Sequence, residues 1–141
     1  MSALGVPWIK AKVDTGAKTS SLHAFDLQEY ARAGERRVRF HIHPWQASDE
    51  DAVPVDLPVL DRRPVRSSSG HVEERYVVHL RMTLARRRIT AEVTLTDRDE
   101  MGFRMLIGRE ALAQGFLVDA RQSYAGPRPR RSTRRRNWGR A

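Results

Sequence analysis

Val13-Asp14-Thr15-Gly16-Ala17 is the run in this chain whose residue types suit water activation. The alternating segment before Asp14 holds the carboxylate in place. Gly16 lets the chain turn sharply, bringing backbone N–H groups near it, and the Thr15 hydroxyl is suited to brace the loop. Hydrolysis by carboxylates of this kind needs two of them facing each other, because like charges at close range cannot both ionise. The pair then shares a proton, one member acting as base and the other as acid. The chain has one Asp-Thr-Gly and no Asp-Ser-Gly, so a dyad must be built across a two-fold axis from two copies. Of the five histidines, His41 and His43 form an i, i+2 pair. Such a pair either chelates a metal or sits solvated on the polar face of a strand. There is no His-Glu-x-x-His and no glycine-rich phosphate loop, so the residues offer neither a zincin helix nor an ATP cradle.

These groups need elements to position them. Residues 8–13 alternate apolar and polar as a half-buried strand does, and run directly into Asp14. Residues 38–43 repeat the pattern. Between them, a short helix is expected around residues 27–33, ending at Gly34. Residues 44–62 mix prolines with acids and read as an exposed loop plus an edge strand. Val65-Arg66 then leads into Ser67-Ser68-Ser69-Gly70, a hairpin tip followed by a long strand-like run over 72–84. A turn at Arg86-Arg87-Arg88 precedes another alternating strand over 89–96, and residues 97–100 turn again. Met105-Leu106-Ile107 is a short apolar strand closed by Gly108. A helix is expected over 109–114 with Gly115 as its stop, and Phe116-Leu117-Val118 as the last strand. Many short strands, one short C-terminal helix and no internal repeat predict an all-β fold, a closed β-barrel.

Charge divides the chain in two. All 17 acidic residues lie at or before Asp119, while residues 121–141 hold eight arginines and no acid, and so +8 of the net +9. A domain over residues 1–124 followed by a basic, low-complexity, disordered tail over 125–141 is the expected organisation. By charge the tail suits contact with RNA or an acidic partner, and it reads equally as a solvated extension. The absence of cysteine excludes disulfides, thiolate metal sites and cysteine nucleophiles, and suits a cytoplasmic setting. No apolar run is long enough to cross a membrane. Residues 1–12 have no long hydrophobic stretch or small-residue cleavage site, so no signal peptide is expected.

Three segments in order resemble a retropepsin, the single-domain aspartic protease: Val13-Asp14-Thr15-Gly16-Ala17, the Ser/Gly-tipped hairpin, and Met105-Leu106-Ile107-Gly108-Arg109-Glu110. A closer resemblance is to a bacterial group labelled ATP-dependent zinc proteases, whose genes lie beside, or fused to, ATP-grasp ligases that add glutamates to a ribosomal protein. The segment over residues 9–24 is similar to that group's signature nearly throughout. Arg66-Ser67-Ser68-Ser69-Gly70, Leu106-Ile107-Gly108-Arg109 and Phe116-Leu117-Val118-Asp119 add to it. The likeness covers about residues 5–124. It implies a homodimeric aspartic endopeptidase without a cofactor, with Asp14, Thr15 and Gly16 catalytic. Ala17, Lys18, Ser67, Ser68, Ser69 and Gly70 would then contact a peptide or protein substrate. Viral retropepsins have an acid where this chain has Lys18, so the base either favours acidic substrates or is simply solvated. Two other readings follow from the same likeness: a non-catalytic peptide-binding module assisting an ATP-grasp ligase, and the zinc-dependent protease of the group's label.

Overall fold

Alternating side chains with a period of two dominate the chain, and strands dominate the fold. The computed structural model describes residues 5, 6, 8–43, 52–66, 70–97, 103–119, 121 and 129–132. Within these, the strands are β1 (Ala11–Val13), β2 (Ser20–His23), β3 (Phe25–Arg32), β4 (Glu35–Ile42), β5 (Val53–Pro58), β6 (Asp61–Arg66), β7 (Val72–Leu84), β8 (Arg87–Thr96) and β9 (Met105–Ile107). One helix, α1 (Arg109–Leu112), follows β9. Residues 44–51 of the loop and edge strand expected over 44–62, Ser67, Ser68 and Ser69, residues 98–100 and most of the basic tail lie outside the described residues. Arg130, Arg131 and Ser132 are exposed.

The strands form two sheets. The larger has the order β1-β9-β2-β8-β7-β6, and the smaller is β3-β4-β5. Among the described residues neither closes on itself, which corrects the barrel expected from the strand count. The chain between Phe25 and Pro58 pairs within itself, so it does not bridge the two open edges of the larger sheet, β1 and β6. The sheets are joined by a shared core. β4 buries Val38, Phe40 and Ile42, every second residue, while β8 buries Ile89, Ala91, Val93 and Leu95 in the same rhythm. These belong to one contiguous apolar cluster with Leu80, Met82, Leu22 and Ile107. Each of these side chains larger than alanine contributes about 1.5–3 kcal/mol through burial, so the core is what fixes strand register on both sheets.

The helix expected around residues 27–33 is absent, and β3 occupies that stretch. Leu27, Gln28, Glu29 and Ala31 are good helix formers, but propensity is a weak prior that tertiary pairing overrides. Gly34, taken as a helix stop, instead shares a two-residue hairpin turn with Ala33. Both have positive φ (51° and 79°) between the paired residues Arg32 and Glu35, as a tight β-hairpin demands. The same device joins β7 to β8 at Ala85 and Arg86 (φ 48° and 70°), so Arg87 and Arg88 already belong to β8. The strand expected at 116–118 is also absent. Phe116 donates its N–H to the Leu112 carbonyl at 3.0 Å, Leu117 is fully exposed, and Val118 is half exposed.

The outward face of the smaller sheet is laced by polar contacts. Tyr30 donates a hydrogen bond to the Asp56 carboxylate, and Arg37 Nε and Arg39 Nε reach the same carboxylate at 2.9 and 3.4 Å. The Tyr30 hydroxyl first, and then the two guanidinium groups, hold the Asp56 carboxyl below its ordinary range.

Candidate active site

β1 and β2 follow one another in sequence yet are not neighbours. β9 lies between them, parallel to β1 and antiparallel to β2. The chain leaving β1 must therefore cross the end of β9 before entering β2, and Asp14 begins that crossing. Its backbone N–H donates to the Ile107 carbonyl at 2.9 Å, extending the β1–β9 ladder by one bond. The turn then closes on itself. The Ala17 N–H donates to the Asp14 carbonyl at 3.2 Å, and the Gly16 N–H donates to Asp14 Oδ1 at 3.0 Å. Among the described residues Oδ2 has no hydrogen-bond partner.

Beneath the turn runs the β9–α1 junction. A Cβ on Gly108 would lie 2.6 Å from the Thr19 carbonyl carbon, 2.7 Å from its oxygen and 3.0 Å from the Ala17 oxygen. Only glycine lets the two backbones pass this closely. The Gly108 N–H donates to the buried Ser20 Oγ at 3.0 Å. The first N–H groups of a helix have no partner within it; here Arg109 and Glu110 donate theirs to the carbonyls of Ala17 (2.8 Å) and Lys18 (3.0 Å). The Arg109 side chain adds two bonds from Nη1, to the carbonyls of Thr15 (3.2 Å) and Gly16 (3.3 Å). The loop is thus held by its own amides, by β9 and by the start of α1.

A family model described as RimB-like, retropepsin-like aspartic endopeptidase RimB, matches residues 2–129. The chain belongs to the RimB-like family. Two relatives named probable alpha-L-glutamate ligase resemble it: one from Shewanella halifaxensis is 47% identical over 122 residues, 86% of this chain and 27% of the relative. The other, from Desulfotalea psychrophila, is 45% identical over 116 residues, 82% of this chain and 25% of the relative. The chain therefore spans about a quarter of the length of these relatives. A crystal structure of a Legionella pneumophila protein of unknown function is similar in fold, with a TM-score of 0.63 and 28% identity, covering 77% of this chain and 78% of that one.

The structure brings some of the sequence-derived site residues together. Asp14, Thr15, Gly16, Ala17 and Lys18 form one turn, in which Thr15, Gly16 and Lys18 are exposed. Thr15 contributes its carbonyl; among the described residues its hydroxyl makes no hydrogen bond. Lys18 Nζ lies 3.9 Å from Glu110 Oε1 with both side chains largely in water, a pair worth well under about 1 kcal/mol. β6 and β7 pair as antiparallel neighbours, with Arg66 opposite Val72; the expected contacts Ser67, Ser68 and Ser69 lie outside the described residues. Gly70 is exposed, with φ of 87°. Ser20 and Arg109 were not singled out as site residues by sequence reasoning. The signal for Arg109 was its place right after the apolar-Gly segment.

Two of the histidines pack against an aromatic ring. His41 and His43 stack on Phe25 with ring centroids 5.6 and 4.4 Å apart. Among the described residues no group of three or more His, Cys, Asp or Glu converges on a metal-sized point. No helix among them is long and apolar enough to cross a membrane.

Proposed function

We propose that this chain is one protomer of a homodimeric aspartic endopeptidase of retropepsin type. The observation that carries the reading is the Asp14 turn, a carboxylate with one oxygen held by the Gly16 N–H and the other open, at an apex braced from below by Gly108 and Arg109. Exposed Thr15 and Gly16 and the partly exposed Val13 (40%) surround it, a free surface of the kind a symmetry mate would cover. With one Asp-Thr-Gly per chain, the partner's Asp14 completes the dyad. The ionised carboxylate of the pair takes a proton from the water that attacks the scissile carbonyl. The protonated one hydrogen-bonds to the carbonyl oxygen and then supplies a proton to the leaving amine. No cofactor enters these steps.

Lys18 beside the turn favours an acidic peptide or protein substrate. The relatives named as glutamate ligases carry this domain within a chain about four times as long, which supports an ATP-grasp ligase as functional partner. A cytoplasmic setting is part of the proposal, resting on the cysteine-free sequence. The same relatives favour one alternative, a peptide-binding module that assists a ligase without cleaving anything.

Peptide hydrolysis by the purified chain, measured across pH on glutamate-rich and neutral peptides and paired with sedimentation, separates these. Protease activity predicts a bell-shaped profile whose limbs belong to the pair, a dimer, and an Asp14→Asn variant that is inactive yet still dimeric. Peptide binding without hydrolysis at any pH would establish the module instead. A strictly monomeric chain would rule out the dyad.

A further inference from the structure

We infer that Arg109 is a positioning residue for Asp14, acting through the peptide unit that joins Thr15 to Gly16; this rests on the reading of Asp14 as the water-activating carboxylate. Arg109 Nη1 donates to the Thr15 carbonyl at 3.2 Å, and the Gly16 N–H donates to Asp14 Oδ1 at 3.0 Å. The Thr15 carbonyl and the Gly16 N–H are opposite ends of one planar peptide group. Guanidinium, peptide dipole and carboxylate therefore lie in series. A cation on the carbonyl end polarises the group and makes its N–H a stronger donor. That strengthens the hold on Oδ1, fixes the carboxylate's rotation and leaves Oδ2 for water.

The same Nη1 also reaches the Gly16 carbonyl at 3.3 Å, and the backbone N–H of Arg109 reaches the Ala17 carbonyl at 2.8 Å. One residue thus engages three consecutive carbonyls of the turn, which restricts the torsions that would swing Asp14 away. The guanidinium is free for this because the nearest acid on α1, Glu110, faces Lys18. Among the described residues Arg109 has no ion-pair partner.

Lysine at this position would be a point charge without the planar fork, and glutamine would carry neither the charge nor the reach. The test uses the full-length, isotope-labelled chain and compares wild type, Arg109→Lys and Arg109→Gln. Two quantities are read: the amide-proton shift and exchange rate of Gly16, and kcat with KM per folded molecule on a peptide. In Arg109→Gln the Gly16 amide proton should move upfield and exchange about tenfold faster, the scale of one charge-assisted hydrogen bond in water. The Val93 amide in β8 should not change. The kcat should fall about tenfold while KM holds, and Arg109→Lys should recover part of both. If Arg109→Gln does not fold, Arg109→Lys carries the comparison, with a smaller shift of Gly16 in the same direction. An unchanged Gly16 amide and kcat, with only the melting temperature lowered, would overturn the inference and leave Arg109 as a brace for α1. If the wild type hydrolyses nothing, the protease reading fails, and the Gly16 amide still decides whether Arg109 governs the loop.

Discussion

Replacing Gly108 with alanine places a methyl carbon 2.6 Å from the Thr19 carbonyl carbon and 2.7 Å from its oxygen. Comfortable contact between carbons begins near ~3.5 Å, so the β9–α1 junction and the Asp14 loop must separate by about 1 Å. Neither side can give cheaply, because both obstacles are backbone atoms. The separation stretches the Gly108–Ser20, Arg109–Ala17 and Glu110–Lys18 hydrogen bonds together. Overpacking of this kind costs about 1–3 kcal/mol, and weakening several hydrogen bonds adds roughly 0.5–1.5 kcal/mol each, for a loss of about 3–5 kcal/mol. In a domain of this size that lowers Tm by on the order of 10 °C or more. Thermal and urea unfolding followed by circular dichroism give the value. Gly34→Ala is the control: it faces no atom within 4 Å but has φ of +79°, so it isolates backbone strain and should cost only about 1 kcal/mol. A Gly108→Ala protein within 2 °C of wild type, or no more destabilised than Gly34→Ala, would refute the close-approach argument.

Acid should loosen the smaller sheet through Asp56. Because its folded carboxyl is held below the ordinary value of 3.8, its contribution is fully present above that pH and is lost as pH falls through the lowered value. Asp56→Asn should therefore be less stable than wild type near neutral pH, with the difference shrinking toward pH 2; a constant difference across the range would contradict the sign. Deleting residues 125–141 should leave Tm within about 2 °C while weakening binding to RNA or a polyanion and flattening its salt dependence. Substantial destabilisation would show that the tail packs on the domain. EDTA should leave any peptide hydrolysis unchanged, and loss of activity on chelation would point to a metal that the histidines or other groups hold.

The turn at Asp14 was legible in the sequence because it is local. Asp14, Gly16 and the apolar alternation before them lie within a few residues, and the turn they form depends on neighbours along the chain. The same holds for β7 and β9, whose apolar patterns match the observed strands, and for the start of α1 at Arg109. What the sequence alone could not decide was pairing. Residues 27–33 carry helix-forming side chains, and only the ladder with β4 and the core beneath it make them a strand. A strand count cannot say which edges meet, so a barrel was expected where the described residues form two sheets. Phe116-Leu117-Val118 is an apolar run like a short buried strand but has no strand partner within the described residues. Lys18 and Glu110, or Arg109 and Thr15, are more than 90 positions apart, and nothing in their spacing announces that they touch. Hydrogen bonds between distant segments cost loop-closure entropy, which only the assembled core offsets. That is why Ser20, Gly108 and Arg109 become neighbours of the Asp14 turn only once β9 has been threaded between β1 and β2.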